Sequence, residues 1–592
     1  MIHQLHKYSM WLFLFIFACQ GQTEKEDMMT NANLSIKQFF ESYYEEKLKL
    51  FPLEATLAGD NRYNDLLPNN LTQEFKRQTR DFYAKYKKEL FKYERTKLLP
   101  DDQISYDILL WECEINLEGL EFPLELLPLN QFSSLHLTMG QLAGGSSAQP
   151  FKNAQDYDNW LKRLDAFVAW GDTAVANMRQ GIKQGLVLPK TLTEKLIPQL
   201  EAFGQGPVET HLFYTPIKNF PESVSAADRK RLQEGYSQSI ERKIIPLFQR
   251  MSNFVKTDYL KASRASSGIN ALPQGNEMYA YWIKYYTTDH MTADQIFELG
   301  QKEVERIGKE MEKVMQEVDF EGDLKSFFDF TRKKKELMPF SKPEEVIANF
   351  NKIHEKMKPN LQKLFDLKPK TAFEIRRTES FREASASAEY NQGTLDGSRP
   401  GIFYVPIPDV REYNVLSDED LFLHEAIPGH HYQISLQQEN TNLPRFRRTL
   451  WYSAFGEGWA LYTESLGKEL GLYTDPYQYF GMLSAEMHRA IRLVVDAGIH
   501  AKGWTREQAI QYSLEHEPRG EASIIAEIER YMAIPAQALS YKVGQLKIIE
   551  LRKQAEQKMG NKFNIKAFHK LLLESGCLPL SVLEAKVKSW IN

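Results

Sequence analysis

The chain has few cysteines, three in 592 residues, and Cys113 and Cys577 stand far apart in no metal-like spacing. That excludes a disulfide framework; a single bridge has room to form, but two buried free thiols are the expectation. Charge of either sign is barely in excess, with 79 acidic against 74 basic residues, a net charge of −5 and no long basic run. Nothing in that balance points to a nucleic-acid partner. Long apolar runs are missing too. The stretch Met10 to Ala18 is nine residues long, too short to span a bilayer, and no transmembrane helix is expected elsewhere. There is no fixed-period repeat and no low-complexity tract.

The short apolar stretch follows Lys7, which makes residues 1–18 a secretory signal. Ile16-Phe17-Ala18-Cys19 resembles a bacterial lipobox, so Cys19 is the expected lipidation site and new N-terminus, with 19–34 as a polar tether. This reading places the protein in the cell envelope, periplasm or outer membrane, touching membrane only through that anchor. The plainer alternative is a signal peptide with an incidental cysteine.

The remaining length exceeds a single small core, so two lobes are expected. A helical lobe would span about 35–270 and a metal-binding lobe about 271–592, together one catalytic domain over 35–592. Phe39, Tyr43, Tyr44 and Leu48 keep one helical face, and Trp160, Leu161, Leu164, Phe167 and Val168 another. Breaks are expected at Gly144–Ser147 and Arg264–Asn276, and Met291-Thr292-Ala293-Asp294 opens a long helix. The best strand signal, Gly401 to Ile407, ends in Pro406 and Pro408, which suits an edge strand. The fold class is mainly α with one small sheet.

The chemistry gathers at His424-Glu425-Ala426-Ile427-Pro428-Gly429-His430-His431. A hydrolytic zinc site needs imidazoles and carboxylates with one position left open. In an ordinary H-E-x-x-H helix the histidines at i and i+4 share a face. Here Pro428 stands where the second histidine belongs. On a straight helix His430 would point about 120° away, and His431 would lie about 10.5 Å along the axis. The expectation is therefore a bulge at Pro428-Gly429 that returns a histidine to His424. Two other His-Glu pairs, His354-Glu355 and His516-Glu517, have no histidine close behind and are expected at the surface. A third ligand is sought in Ala454 to Glu464: Glu457 sits between glycines, and Glu464, seven residues on, suits a partner of a ligating histidine. The plainer alternatives are a helix cap with stacked histidines and solvated glutamates.

At these residues the chain resembles a family. HEAIPGHHYQ (424–433), GEGWALYTE (456–464), RAIRLVVDAGIHAKGW (489–504) and RYMAIPAQALSYKVG (530–544) look like the bacterial family called domain of unknown function 885. That family is similar to helical gluzincin peptidases of the thimet oligopeptidase, angiotensin-converting enzyme and carboxypeptidase Taq groups. The resemblance implies a two-lobed zincin-like helical fold with a small sheet beside the active-site helix and a deep central channel. Those peptidases carry H-E-x-G-H, and the dipeptidyl peptidase III group H-E-x-x-G-H. The H-E-x-x-x-G-H of this chain extends the series, which implies His424, His430 and Glu457 as ligands of a zinc cofactor and Glu425 as general base. Glu457 also resembles the ligand in the Asn-Glu-Gly-Phe-Ala block of aminopeptidases. The longer insertion leaves His431 as an alternative ligand.

The implied activity is hydrolysis of peptides by a water activated at zinc. A tyrosine serves the oxyanion in similar peptidases; Tyr541 is the first choice here and Tyr531 the second. Strand 401–407 would pair with extended substrate. Arg399, Arg530 and His500, with Tyr531, are candidate substrate-binding residues. Arg489, Arg492 and Asp496 fall on one helical face and read as a structural ion-pair network. Competing readings are a metal hydrolase of non-peptide amides or esters, and an exported lipoprotein that binds peptides on an inactive scaffold.

Overall fold

A computed structural model describes residues 35–145, 148–379, 383, 386–394 and 399–592. The expected signal, Cys19 and tether (1–34) lie outside the described residues, as do Ser146 and Ser147 of the expected break. The chain is mainly helical, with one three-stranded sheet among the described residues. None of its described helices is long and apolar enough to cross a membrane. Cys113 and Cys577 are buried and free.

The apolar core divides in two. The smaller cluster is built on helices α1 (Ala154–Gln184), α2 (Lys190–Phe203) and α3 (Ile245–Phe254). Helix α1 starts in a capping box between Asn153 and Asp156 and ends at Gly185, whose left-handed φ of 73° suits glycine. Its expected face is there: Trp160, Leu164 and Phe167 are all fully buried. The larger cluster joins the first helices to the C-terminal half of the chain. Phe40 and Tyr43, for instance, pack their rings on Phe446 at 5.5 and 5.6 Å.

Helix α4 (Ala293–Glu317) starts where the sequence predicts, capped by Thr292 with Gln295, and α5 (Pro343–Leu364) follows. The sheet comprises β1 (Phe373–Arg377), β2 (Glu389–Asn391) and β3 (Gly401–Val405), in the order β1-β3-β2. β3 runs parallel to β1 and antiparallel to β2. The expected edge strand is thus the central one. Ile402, Phe403 and Val405 are buried, as a strand paired on both sides requires, and the prolines come only after its last paired residue. β1 and β2 are the two edges.

Five helices then frame the site region: α6 (Asp418–Glu425), α7 (His430–Glu439), α8 (Ser453–Ser465), α9 (Pro476–His500) and α10 (Glu521–Ala533). α11 (Ser540–Met559) packs on α8. The two touch backbone to backbone at Gly458 and Gly544, where a Cβ on Gly544 would collide with the Ala454 carbonyl oxygen. Only glycine allows that approach.

Candidate metal centre

The expected bulge is a full break. α6 stops at Glu425, the chain passes through a cis Ile427–Pro428 peptide and Gly429, and α7 begins at His430. Gly429 folds back on the end of α6, where a Cβ would run into the carbonyl oxygens of Leu423 and His424. α8 holds both sides of the break. Trp459 Nε1 donates to the Pro428 carbonyl at 2.9 Å, and the Thr463 hydroxyl donates to the Leu423 carbonyl at 2.9 Å.

The break returns His430 to His424. Glu457 Oε2 lies 3.6 Å from His424 Nε2 and 3.4 Å from His430 Nε2. One ligand atom from each of the three residues falls within 4.8 Å of the others. Ligands about 2.1 Å from a tetrahedral ion stand about 3.4 Å apart. Two imidazole nitrogens and one carboxylate oxygen, with a fourth direction open, are a donor set that fits zinc. His431 faces the sheet instead: its Nδ1 meets the Tyr390 hydroxyl at 3.0 Å and its ring lies 4.9 Å from Phe373. Burial takes the His431 pKa down to about 4.

Glu464 completes the cluster from behind. Its Oε1 takes the Nδ1 proton of His424 at 2.7 Å, which frees Nε2 on the Glu457 side. Burial would depress His424, but Glu457 and Glu464 outweigh it and hold the pKa at about 10. Burial also works against ionised Glu457, and the facing His430 and His424 overcome it, leaving that carboxyl well below its usual range. Glu425 is buried and its pKa is raised, chiefly by burial.

His424, Glu425 and Glu464 line a cavity of about 690 Å³ with Tyr541 and a wall of arginines. The Tyr541 ring lies under the Arg492 guanidinium, 4.5 Å from its centroid. Burial raises the Tyr541 pKa, and Glu457 adds to it. A second cavity of about 480 Å³ is lined by Trp111, Tyr285 and Trp451, and the Trp451 ring is 5.8 Å from that of His430. The β2 segment borders both: Ser387 and Ala388 line the first cavity, Gln392 the second.

Residues 52–587 match the family described as bacterial protein of unknown function, DUF885. The chain belongs to the DUF885 family. Among solved structures it is similar to a candidate lipoprotein from Colwellia psychrerythraea, with 26% identity and a TM-score of 0.86, covering 95% of this chain and 99% of that one. A candidate lipoprotein of unknown function from Shewanella oneidensis shares the fold at 21% identity and a TM-score of 0.74, covering 93% of this chain and 99% of that one. No curated protein matches.

Several residues singled out from the sequence lie elsewhere in this DUF885 chain. His500 is fully buried; its Nδ1 accepts from the Ile269 amide and its Nε2 donates to the Tyr531 carbonyl, both at 3.0 Å. Both nitrogens are spent in the core, so it is no substrate ligand. Tyr531 is buried, and its hydroxyl donates to Glu527 at 2.6 Å while accepting from Arg492 Nε at 3.0 Å. Arg399 is exposed ahead of β3 and does not line the cavity. Arg530 does line it, but donates to Glu527 and Gln537. The supposed surface pair at 516–517 is also corrected, since Glu517 is buried and takes a hydrogen bond from His488 Nδ1 at 2.6 Å. His354 is half-buried against the Phe422 ring.

Asp496 makes no ion pair with the arginines of its helix. It accepts from the Tyr279 hydroxyl at 2.7 Å and the Ala536 amide at 3.1 Å, and burial raises its pKa to about 7. Arg489 and Arg492, left out of the site by sequence reasoning, line the cavity, as does Arg519. Two arginines inside the mostly apolar run Ala485–Gly498 were the signal; spacing alone assigned them to each other and to Asp496.

Proposed function

We propose that the protein is a zinc-dependent peptidase. The observation that carries this reading is the convergence of His424 Nε2, His430 Nε2 and Glu457 Oε2 beside a cavity that Glu425 also lines. When bound there, zinc supplies Lewis-acid polarisation and lowers the pKa of a water to about 7. Glu425, its basicity raised by burial, takes the proton of the attacking water on its carboxylate and passes it to the leaving amine. Tyr541 donates its hydroxyl proton in a hydrogen bond to the developing oxyanion, held in place by Arg492 over its ring. Glu464 keeps His424 in the tautomer that offers Nε2. The edge strand β2, whose flanking residues border both cavities, favours an extended peptide over other acyl compounds.

The lipoprotein description of the Colwellia protein supports reading Ile16–Cys19 as a lipobox, and hence an exported, lipid-anchored protein of the cell envelope.

The test is metal analysis with anomalous scattering at the zinc edge, coupled to cleavage of a mixed peptide panel. One zinc at His424, His430 and Glu457 is expected, with cleavage lost to chelator and restored by zinc. Glu425→Gln should keep the ion and lose about 10²–10⁴-fold in kcat. A zinc-free protein without chelator-sensitive cleavage sinks the reading and leaves a peptide-binding scaffold.

A further inference from the structure

Arg489 and Arg492 stand three residues apart on α9, and both line the cavity beside His424. The Arg492 side chain is 9% exposed. Its Nε donates to the Tyr531 hydroxyl and its Nη2 to Glu527, while Nη1 has no acceptor among the described residues. Arg489 is similar. Its Nη1 donates to the Ala485 carbonyl, its Nη2 stands 3.9 Å from Glu464, and its Nε has no acceptor among the described residues. Arg519 and Arg530 complete the wall, 3.5 Å from Glu517 and 3.1 Å from Glu527. Among the described residues four guanidiniums thus share three carboxylates, and two of their donors have no acceptor.

The wall begins beside the candidate metal, because Glu464 is the partner of both His424 and Arg489. The β2 segment gives it a direction. Ser387 precedes β2 and lies in the arginine cavity, while Gln392 follows β2 and lies in the aromatic one. A peptide added antiparallel to β2, the more stable pairing, has its carboxyl end at Ser387. Guanidinium and carboxylate match in shape and charge.

We infer that the Arg489–Arg492 wall is a subsite for the free C-terminal carboxylate of a peptide, so that the protein acts at the carboxyl end of its substrates. This rests on the peptidase reading but is tested apart from it. The full chain carrying Glu425→Gln is immobilised and offered a random N-acetyl pentapeptide pool, once as free acids and once as carboxamides, with and without chelator. Retention of the free acids at least tenfold above the amides is expected, and Arg492→Gln should reduce that ratio about tenfold. Because Arg492 also pairs with Glu527, its loss can unfold the chain, so the acid-to-amide ratio on folded Glu425→Gln protein carries the test. Equal retention of the two pools, including retention of neither, overturns the inference. So does retention governed by a free amino end in an unacetylated pool. Failure of the peptidase reading would instead appear as no chelator-sensitive cleavage with the acid preference intact.

Discussion

Two histidine–carboxylate clusters border the same cavity and use the same residue types differently. At His424 and His430, two imidazoles point their Nε2 atoms at one carboxylate oxygen. At His488, a single buried imidazole lies between two carboxylates, Glu517 at 2.6 Å and Glu527 at 3.4 Å. Arginines already balance that second pair: Arg519 stands by Glu517, while Arg492 and Arg530 hold Glu527. Burial, with Arg519 adding to it, lowers the His488 pKa. Around Glu457 no arginine among the described residues takes that place, and the positive charge is left to a proton on His424 or to a cation. Convergent lone pairs without a resident guanidinium separate a candidate metal site from a buried ion network.

The largest effect that would break this contrast is on metal content. His430→Ala should take zinc from one per chain to none, whereas His488→Ala should keep it. The latter should cost roughly 1.5–3 kcal/mol of stability, as expected for losing a buried hydrogen bond to a charged group. Zinc analysis and urea unfolding check both, and loss of zinc on His488→Ala would erase the distinction. Next in size is the pair of tyrosines. Tyr541→Phe should lower kcat about 10²–10³-fold with zinc retained, while Tyr531→Phe, whose hydroxyl is already engaged, should act on the urea midpoint instead.

Smaller again is the contrast between the two supporting glutamates. Glu464→Gln should weaken zinc binding about 10–100-fold, measured against a competing chelator, and Glu517→Gln should leave it unchanged. The smallest effect concerns pH. Burial raises Asp496 to about 7 in the folded chain, against roughly 3.9 when unfolded. Its contribution to stability is therefore complete below about pH 3.9 and lost as pH rises towards 7. Asp496→Asn should flatten that part of the stability profile; an unchanged slope would show that Asp496 does not titrate there.

Much of the candidate centre was legible from the chain because its parts are near neighbours. His424, Pro428, Gly429 and His430 lie within seven residues, and helix geometry alone demanded a deviation between them. Less legible was the sheet, since proline placement says where β3 ends and not which strands flank it. The choice against His431 needed β1 and β2, whose Phe373 and Tyr390 claim that ring. His500 misled because a histidine within a helix looks the same in sequence whether it faces a cavity or the core.

By itself, then, the sequence determined the helical class and a departure from straight helix between His424 and His430, both of which follow from local propensity and backbone stereochemistry. Only the tertiary structure decided which histidine joins His424, which tyrosine stays open and that Arg489, Arg492, Arg519 and Arg530 line one cavity. Those outcomes depend on β1, β2 and α8 to α11 meeting across gaps of the chain. Burial and charge balance there are set by neighbours distant in sequence.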